Sequence, residues 1–117
     1  MKLLAILILI PSLAQAAAFT TPELIPGTKT LYRGAQPVGH PEVLKAAGIT
    51  EVIIFKNDVK GEVVREISEL AKVGFESARV HHIPMEWKQL EPKVACERTI
   101  RALELMLAAE RDGRKAF

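Results

Sequence analysis

The sequence predicts a single α/β domain with a mainly parallel sheet flanked by helices. Short runs rich in β-branched residues alternate with longer amphipathic segments, an order typical of helices packed on a parallel sheet. The run Val52 to Phe55 is apolar on both faces, as expected for a strand that helices cover on both sides. A chain of 117 residues allows one domain, and its 49% hydrophobic content is too high for a disordered chain.

The amino terminus has the pattern of a secretory signal peptide. Lys2 is followed by the apolar run Leu3–Ile10 and then by Ala14-Gln15-Ala16, an Ala-x-Ala cleavage pattern. An uncleaved anchor is the alternative, but the uncharged run Leu3–Ala18 has only 16 residues, whereas a spanning helix needs roughly 20. We therefore expect residues 1–16 to be removed, and the protein to be periplasmic or secreted with no membrane association after cleavage.

The expected mature domain, residues 17–117, begins with a loop to about residue 30. A first strand is predicted at Thr30–Arg33, where the chain turns extended and apolar. A first helix follows at Pro41–Ala47, because proline is favoured at the first helical position and a glycine follows the last. The second strand is the apolar run Glu51–Phe55.

The second half of the sequence continues the alternation of helices and strands. Apolar residues three and four apart predict a helix at Glu62–Lys72. A strand is predicted at Arg79–Ile83, where Val80 and His82 alternate with His81 and Ile83. A long helix is predicted from Pro92 to about Arg111, and residues 115–117 have the composition of another strand's first residues. The expected buried stripe of the long helix comprises Cys96, Ile100, Leu103, Met106 and Leu107, widened by Val94 and Ala102.

A parallel sheet of this kind places its ligand site where the strands end. Ligands of open α/β sheets bind outside the carboxyl ends of the strands. The loops at that edge include Lys56–Gly61 after the second strand and Pro84–Pro92 after the third. These two loops are therefore the first place to look for functional side chains.

One stretch resembles a known family. Tyr32-Arg33-Gly34-x-Gln36-Pro37, then a leucine-bearing helix, then Gly48-Ile49-Thr50-x-Val52-Ile53 resembles the amino-terminal half of the cysteine-dependent phosphatases. The resemblance is to the dual-specificity and bacterial tyrosine-phosphatase-like group, which includes inositol-phosphate hydrolases. It runs from about Leu31 to the last residue. It implies a phosphatase-like fold, no cofactor, and hydrolysis of phosphate monoesters through a phosphocysteine intermediate.

The nucleophile that the resemblance implies is absent from the 117 residues. The family carries it in His-Cys, five residues, then Arg, and the only cysteine here is Cys96. Position 102, where that arginine would stand, is Ala102, so Cys96 is interpreted as a buried packing residue. In the family, the strand after the long helix leads into the catalytic loop. Lys115-Ala116-Phe117 occupies the corresponding position, so we expect the sequence to stop just before that loop and the chain as given to be inactive.

The general acid is also a departure from the family. The resemblance implies an aspartate on the loop after the third strand, but Pro84–Pro92 contains none. Glu86 is the better candidate there, because the neighbouring Trp87 could raise its pKa. Asp58 on the adjacent loop is a second candidate. An ordinary solvated carboxylate at Glu86 and a turn residue at Asp58 are the alternatives.

Further roles follow from the resemblance rather than from the residues alone. Arg33 is implied to brace the phosphate-binding loop, and Gln36 to bond local backbone; an exposed arginine and a turn residue are the alternatives. The implied partner is a phosphorylated small molecule or a phosphoprotein. Basic residues that could form a rim around it, or be ordinary surface charge, are Lys56, Lys60, His81, His82 and Lys88.

Other function classes receive less support. A formal net charge of +2 is too small to argue for nucleic acid, and one cysteine excludes an intramolecular disulfide. No metal is expected, because His81 and His82 face opposite ways on one strand while zinc needs three or four ligands. A rhodanese-like sulfur transferase is disfavoured by Tyr32–Pro37. An exported, non-catalytic α/β binding module or pseudophosphatase stays open as the alternative.

Overall fold

The computed structural model describes residues 22–34, 40–86 and 90–117. The signal-peptide prediction and Gln36 therefore lie outside the described residues. In chain order the described residues form β1 (Glu23–Leu24), β2 (Tyr32–Arg33), α1 (Glu42–Ala46), β3 (Val52–Ile54), α2 (Glu62–Lys72), β4 (Val80–His82) and α3 (Pro92–Asp112), with a short 3₁₀ turn at Ser77–Arg79 before β4. The prediction of a small α/β domain with a short parallel sheet and helices is confirmed.

The last residues of the chain join two strand pairs into one sheet. β1 and β2 are antiparallel, while β3 and β4 are parallel with Val52 opposite Val80. Ala116 forms parallel bridges to Leu31 on one side and Glu51 on the other. Its N–H donates to the Thr30 carbonyl at 3.0 Å, and its carbonyl accepts from the Tyr32 N–H at 2.8 Å. Residues 115–117 therefore enter the sheet between β2 and β3. The sequence predicted the start of a strand here, but not which strands it would pair with.

The main core lies between the sheet and the first two helices. Its fully or nearly buried members are Leu44, Ile49, Val52, Ile54, Val63, Leu70 and Phe75. They alternate along β3 and recur at helical spacing along α2, which is the pattern that predicted both elements. A smaller cluster of Leu31, Ala109 and Ala116 packs α3 against the other part of the sheet.

The prediction for the buried face of α3 is wrong for most of its residues, although Ala102 is buried as predicted and Met106 packs against the smaller core cluster. Ala102 and Ala109 are its buried residues, whereas Ile100, Leu103 and Leu107 are at least half exposed. Cys96 is also exposed, so it is not a buried packing residue. Alanine has no bulk beyond Cβ and lets the helix approach the sheet closely, which turns the larger apolar side chains on the next face outward.

The region before the first predicted strand also holds structure that the sequence did not indicate. Glu23–Leu24 pairs with β2 as β1, where a loop was expected. The turn that follows is fixed by Glu110 of α3, whose carboxylate accepts from the backbone N–H groups of Lys29 and Thr30 at 2.9 and 2.8 Å. Gly113 then turns the chain with φ of 70°, a left-handed conformation that glycine adopts without strain. The Glu110 contact lies directly before β2 in the chain, and the Gly113 turn lies directly before residues 115–117.

Candidate functional site

An open slot lies between β2 and β3 beyond the last residue of the chain. Two cavities of about 170 and 320 Å³ border it, and both are lined by Gly34, Ile53, Phe55 and Phe117. Phe117 is already in register there, since its N–H donates to the Glu51 carbonyl at 2.9 Å and its carbonyl accepts from Ile53 N–H at 2.8 Å. The slot therefore lies in line with residues 115–117, between β2 and β3.

A third cavity, of about 270 Å³, opens at the carboxyl edge of β3 and β4. It is lined by residues of the two loops singled out above, namely Phe55, Lys56, Asn57, Val59, Met85 and Glu86. Phe55 and Lys56 also line one of the slot cavities, so the two spaces adjoin.

Glu86 and Asn57 form the polar pair of this cavity. The Asn57 side-chain amide donates to the Glu86 carboxylate. The Asn57 carbonyl oxygen Oδ1 is buried and has no hydrogen-bond partner among the described residues. Since buried acceptors in folded proteins are nearly always paired, this atom marks a place for a donor. Sequence reasoning missed Asn57, although its position directly after a buried strand was a usable signal.

The basic rim expected around this edge is only partly present. Lys56 lines the cavity, but its ammonium donates to Glu62, and this contact holds the pKa of the Glu62 carboxyl below its ordinary value. His82 Nε2 lies 2.8 Å from the Lys56 carbonyl oxygen and steadies the loop. His81 lies instead 2.8 Å from Glu51, so its assignment to the rim is wrong. Lys88 is outside the described residues.

Asp58 has a structural contact in this loop. Its Oδ1 accepts a hydrogen bond from the backbone N–H of Val63, the second residue of α2, at 3.0 Å. A carboxylate at a helix amino terminus satisfies an otherwise unpaired donor and interacts favourably with the helix dipole. The structure thus gives Asp58 a reason to be present that does not depend on catalysis; its role as a general acid stays a prediction.

We expect the Asp58→Ala variant to lose about 1 kcal/mol of unfolding free energy, because the Val63 N–H loses its side-chain acceptor. Urea denaturation followed by circular dichroism measures this loss. The Asp58→Asn variant keeps an acceptor oxygen and serves as the control, with an expected loss of less than half as much. Equal stability of Asp58→Ala and the unmodified chain would contradict the capping role.

Arg33 lies at the mouth of the slot. Its side chain is 59% exposed, lines the smaller slot cavity, and has its Nε 3.7 Å from the Glu23 carboxylate of β1. This location suits a residue that contacts whatever fills the slot, and it leaves the bracing role as a prediction. Glu91, the other carboxylate of the loop after β4, occupies the N-cap position of α3 without a side-chain capping bond.

Within residues 22–34, 40–86 and 90–117, no three His, Cys, Asp or Glu side chains group closely enough to hold a metal ion. None of the helices in these ranges combines the length and the apolar character that crossing a membrane requires.

Comparison with known proteins adds no assignment. No protein-family model, no curated protein and no solved structure matches the chain.

Proposed function

We propose that this chain is the amino-terminal portion of an exported, cysteine-dependent phosphatase domain that hydrolyses phosphate monoesters. The observation that carries the proposal is the slot beside Phe117. A parallel strand continuing through it would end at the same edge of the sheet as β3 and β4. A loop after that strand would face the cavity of Asn57 and Glu86.

In this proposal, a loop after Phe117 supplies the nucleophile and the phosphate-binding groups, and residues of the described chain supply the acid. The loop would supply a cysteine thiolate to attack phosphorus, together with backbone N–H groups and an arginine to hold the phosphoryl oxygens. The alcohol leaves as its oxygen takes a proton, and a water then hydrolyses the phosphocysteine. Glu86 is the carboxyl group at the cavity that can provide that proton.

Asn57 has a positioning role in this proposal. It holds the Glu86 carboxylate through its side-chain amide, and its buried carbonyl oxygen is available to a donor on the incoming loop. The phosphate-binding loop of this proposal is rich in backbone N–H groups. One hydrogen bond from it would satisfy Asn57 and fix the acid relative to the reacting phosphorus.

The first experiment is to sequence the coding DNA beyond the Phe117 codon. An in-frame His-Cys, five residues, then Arg soon after Phe117 supports the phosphatase. A stop codon favours the exported binding module or pseudophosphatase. The 117-residue chain is expected to leave an aryl phosphate unhydrolysed, and detectable turnover by this chain alone would contradict the need for a further loop.

In the extended protein, we expect Glu86→Gln to lower kcat for an aryl phosphate by about 10²-fold, since proton donation to the leaving oxygen is lost. The effect should shrink with leaving groups of low pKa, which depart without a proton. Glu91→Gln is the matched control on the same loop and should change kcat less than about 3-fold. If Glu86→Gln also lowers kcat by less than about 3-fold, another residue is the general acid.

A further inference from the structure

A second polar cavity lies at the opposite, amino-terminal edge of the sheet. It has a volume of about 220 Å³ and is lined by Lys45, Thr50, Gly74, Phe75, Glu76, Arg79 and Arg114. A water molecule takes about 30 Å³ in the liquid, so the cavity has room for a small solvated ion. The three basic residues come from separate parts of the chain: α1, the turn before β4, and the segment that enters the last strand.

Two of these cations are held in place by a buried carboxylate. Glu51 Oε1 lies 3.2 Å from Arg114 Nε and 3.8 Å from an Arg79 terminal nitrogen, and Oε2 lies 2.8 Å from His81 Nε2. Glu51 is 1% exposed. Both of its oxygens are occupied, so the carboxylate holds both guanidinium groups beside the cavity.

Lys45 brings a third positive charge to the same cavity. Its ammonium is 3.4 Å from the Gly74 carbonyl oxygen and stands 5.3 Å from the centre of the Phe75 ring. Both contacts keep the exposed side chain folded over the cavity. Three donors with positive charge thus border one space, and none of them is part of the candidate site at the carboxyl edge.

Two carboxylates besides Glu51 oppose this positive charge. Glu76 lines the cavity and is exposed, and Asp112 accepts from a terminal nitrogen of Arg114. Asp112 also pairs with Arg111 at 3.3 Å, so its charge is shared between two guanidinium groups. Of the side chains that line the cavity itself, three are cationic and one is anionic. Glu51 and Asp112 lie behind this lining and neutralise part of the charge on Arg79 and Arg114, whereas Lys45 contacts a carbonyl oxygen and an aromatic ring. The positive charge that is left at the cavity wall favours a ligand with negative charge on several oxygens.

We propose that the cavity formed by Lys45, Arg79 and Arg114 binds a phosphate-type oxyanion. Guanidinium groups present donors in a planar fork that fits tetrahedral oxyanions, and charge-assisted hydrogen bonds are the strongest that a protein side chain makes. The site lies at the other edge of the sheet from the proposed catalytic cavity. It is present in the 117-residue chain and does not depend on the proposed phosphatase activity.

The test is titration of the 117-residue chain with inorganic phosphate at constant ionic strength, followed by amide NMR shifts around Thr50 and Gly74 and by calorimetry. We expect a dissociation constant of about 1 mM, typical of a few charge-assisted contacts open to solvent. Phenyl phosphate in place of phosphate tells whether an ester or only the free ion fits. Acetate binding as tightly as phosphate would overturn the assignment of the cavity to a phosphate-type oxyanion.

Variants separate the site from general surface charge. Lys45→Gln, which leaves the Glu51 contacts untouched, and Arg79→Gln should each weaken binding by about 5-fold or more. Glu76→Gln should tighten it by about 2-fold, a gain that misfolding cannot produce. Arg65→Gln on the exposed side of α2 is the control and should bind as the unmodified chain does. No saturable shift at Thr50 and Gly74, or equal binding by Lys45→Gln and Arg65→Gln, would overturn the proposal.

Discussion

The Ala116→Asp variant is expected to be largely unfolded at room temperature. Ala116 is 3% exposed and bridges Leu31 and Glu51, so it connects the β1–β2 pair to the β3–β4 pair. A carboxylate there would be buried without a cation of its own and close to the negative charge of Glu51. Burying an unpaired charge costs several kcal/mol, a large share of the roughly 5–15 kcal/mol that a domain has.

The neighbouring residue provides a matched control for this prediction. Lys115 is exposed, so Lys115→Asp introduces the same carboxylate one position away at the surface. Its unfolding free energy should change by about 1 kcal/mol or less, because surface substitutions have small effects. Far-UV circular dichroism and urea denaturation measure both variants. Equal stability of Ala116→Asp and Lys115→Asp would show that these last residues do not lie inside the sheet.

The helices and the parallel strands could be predicted because their signals are local. Residues three and four apart in Glu62–Lys72 form one apolar stripe, and the observed α2 has those bounds. The same reasoning failed on α3, where two neighbouring faces both carry apolar residues. The larger side chains Ile100 and Leu103 outweighed Ala102 in the pattern, yet the sheet selected the face that allows close approach.

The polar contacts of the fold depend on partners far apart in the sequence. Glu51 and Arg114 are 63 residues apart, and no periodicity relates them. Glu51 was therefore expected only as the edge of an apolar strand. At the candidate site, Glu86 could be selected because its loop follows a strand. The contact with Asn57 depends on β3 and β4 being neighbours in register, which the sequence pattern does not specify.

The Glu51→Gln variant is expected to lower the unfolding free energy by about 3 kcal/mol. The carboxylate is the common acceptor for Arg79, His81 and Arg114. Glutamine has a similar shape but no charge, and its side-chain NH2 group is a donor that would face the donors of these residues. Removing one partner of a buried ion pair typically costs about 3–5 kcal/mol because the remaining charge is left without compensation.

The size of this effect follows from where Glu51 lies in the sheet. Glu51 precedes β3, Arg79 precedes β4, and Arg114 precedes the strand residues 115–117. One carboxylate therefore ties together the amino ends of three neighbouring parallel strands, which are otherwise joined by only a few hydrogen bonds each. Loss of the charge should therefore destabilise the pairing of these strands as well as the individual ion pairs of Glu51.

Urea denaturation of three variants separates these contributions. Arg79 is 40% exposed and 3.8 Å from Glu51, so Arg79→Gln should cost only about 1 kcal/mol. Glu104→Gln, on the exposed side of α3, should change stability by less than about 0.5 kcal/mol. A Glu51→Gln loss no larger than that of Glu104→Gln would mean that the buried ion cluster does not stabilise the sheet. If Glu51→Gln loses several times more unfolding free energy than Arg79→Gln, Glu51 is the residue that stabilises the amino-terminal edge of the sheet.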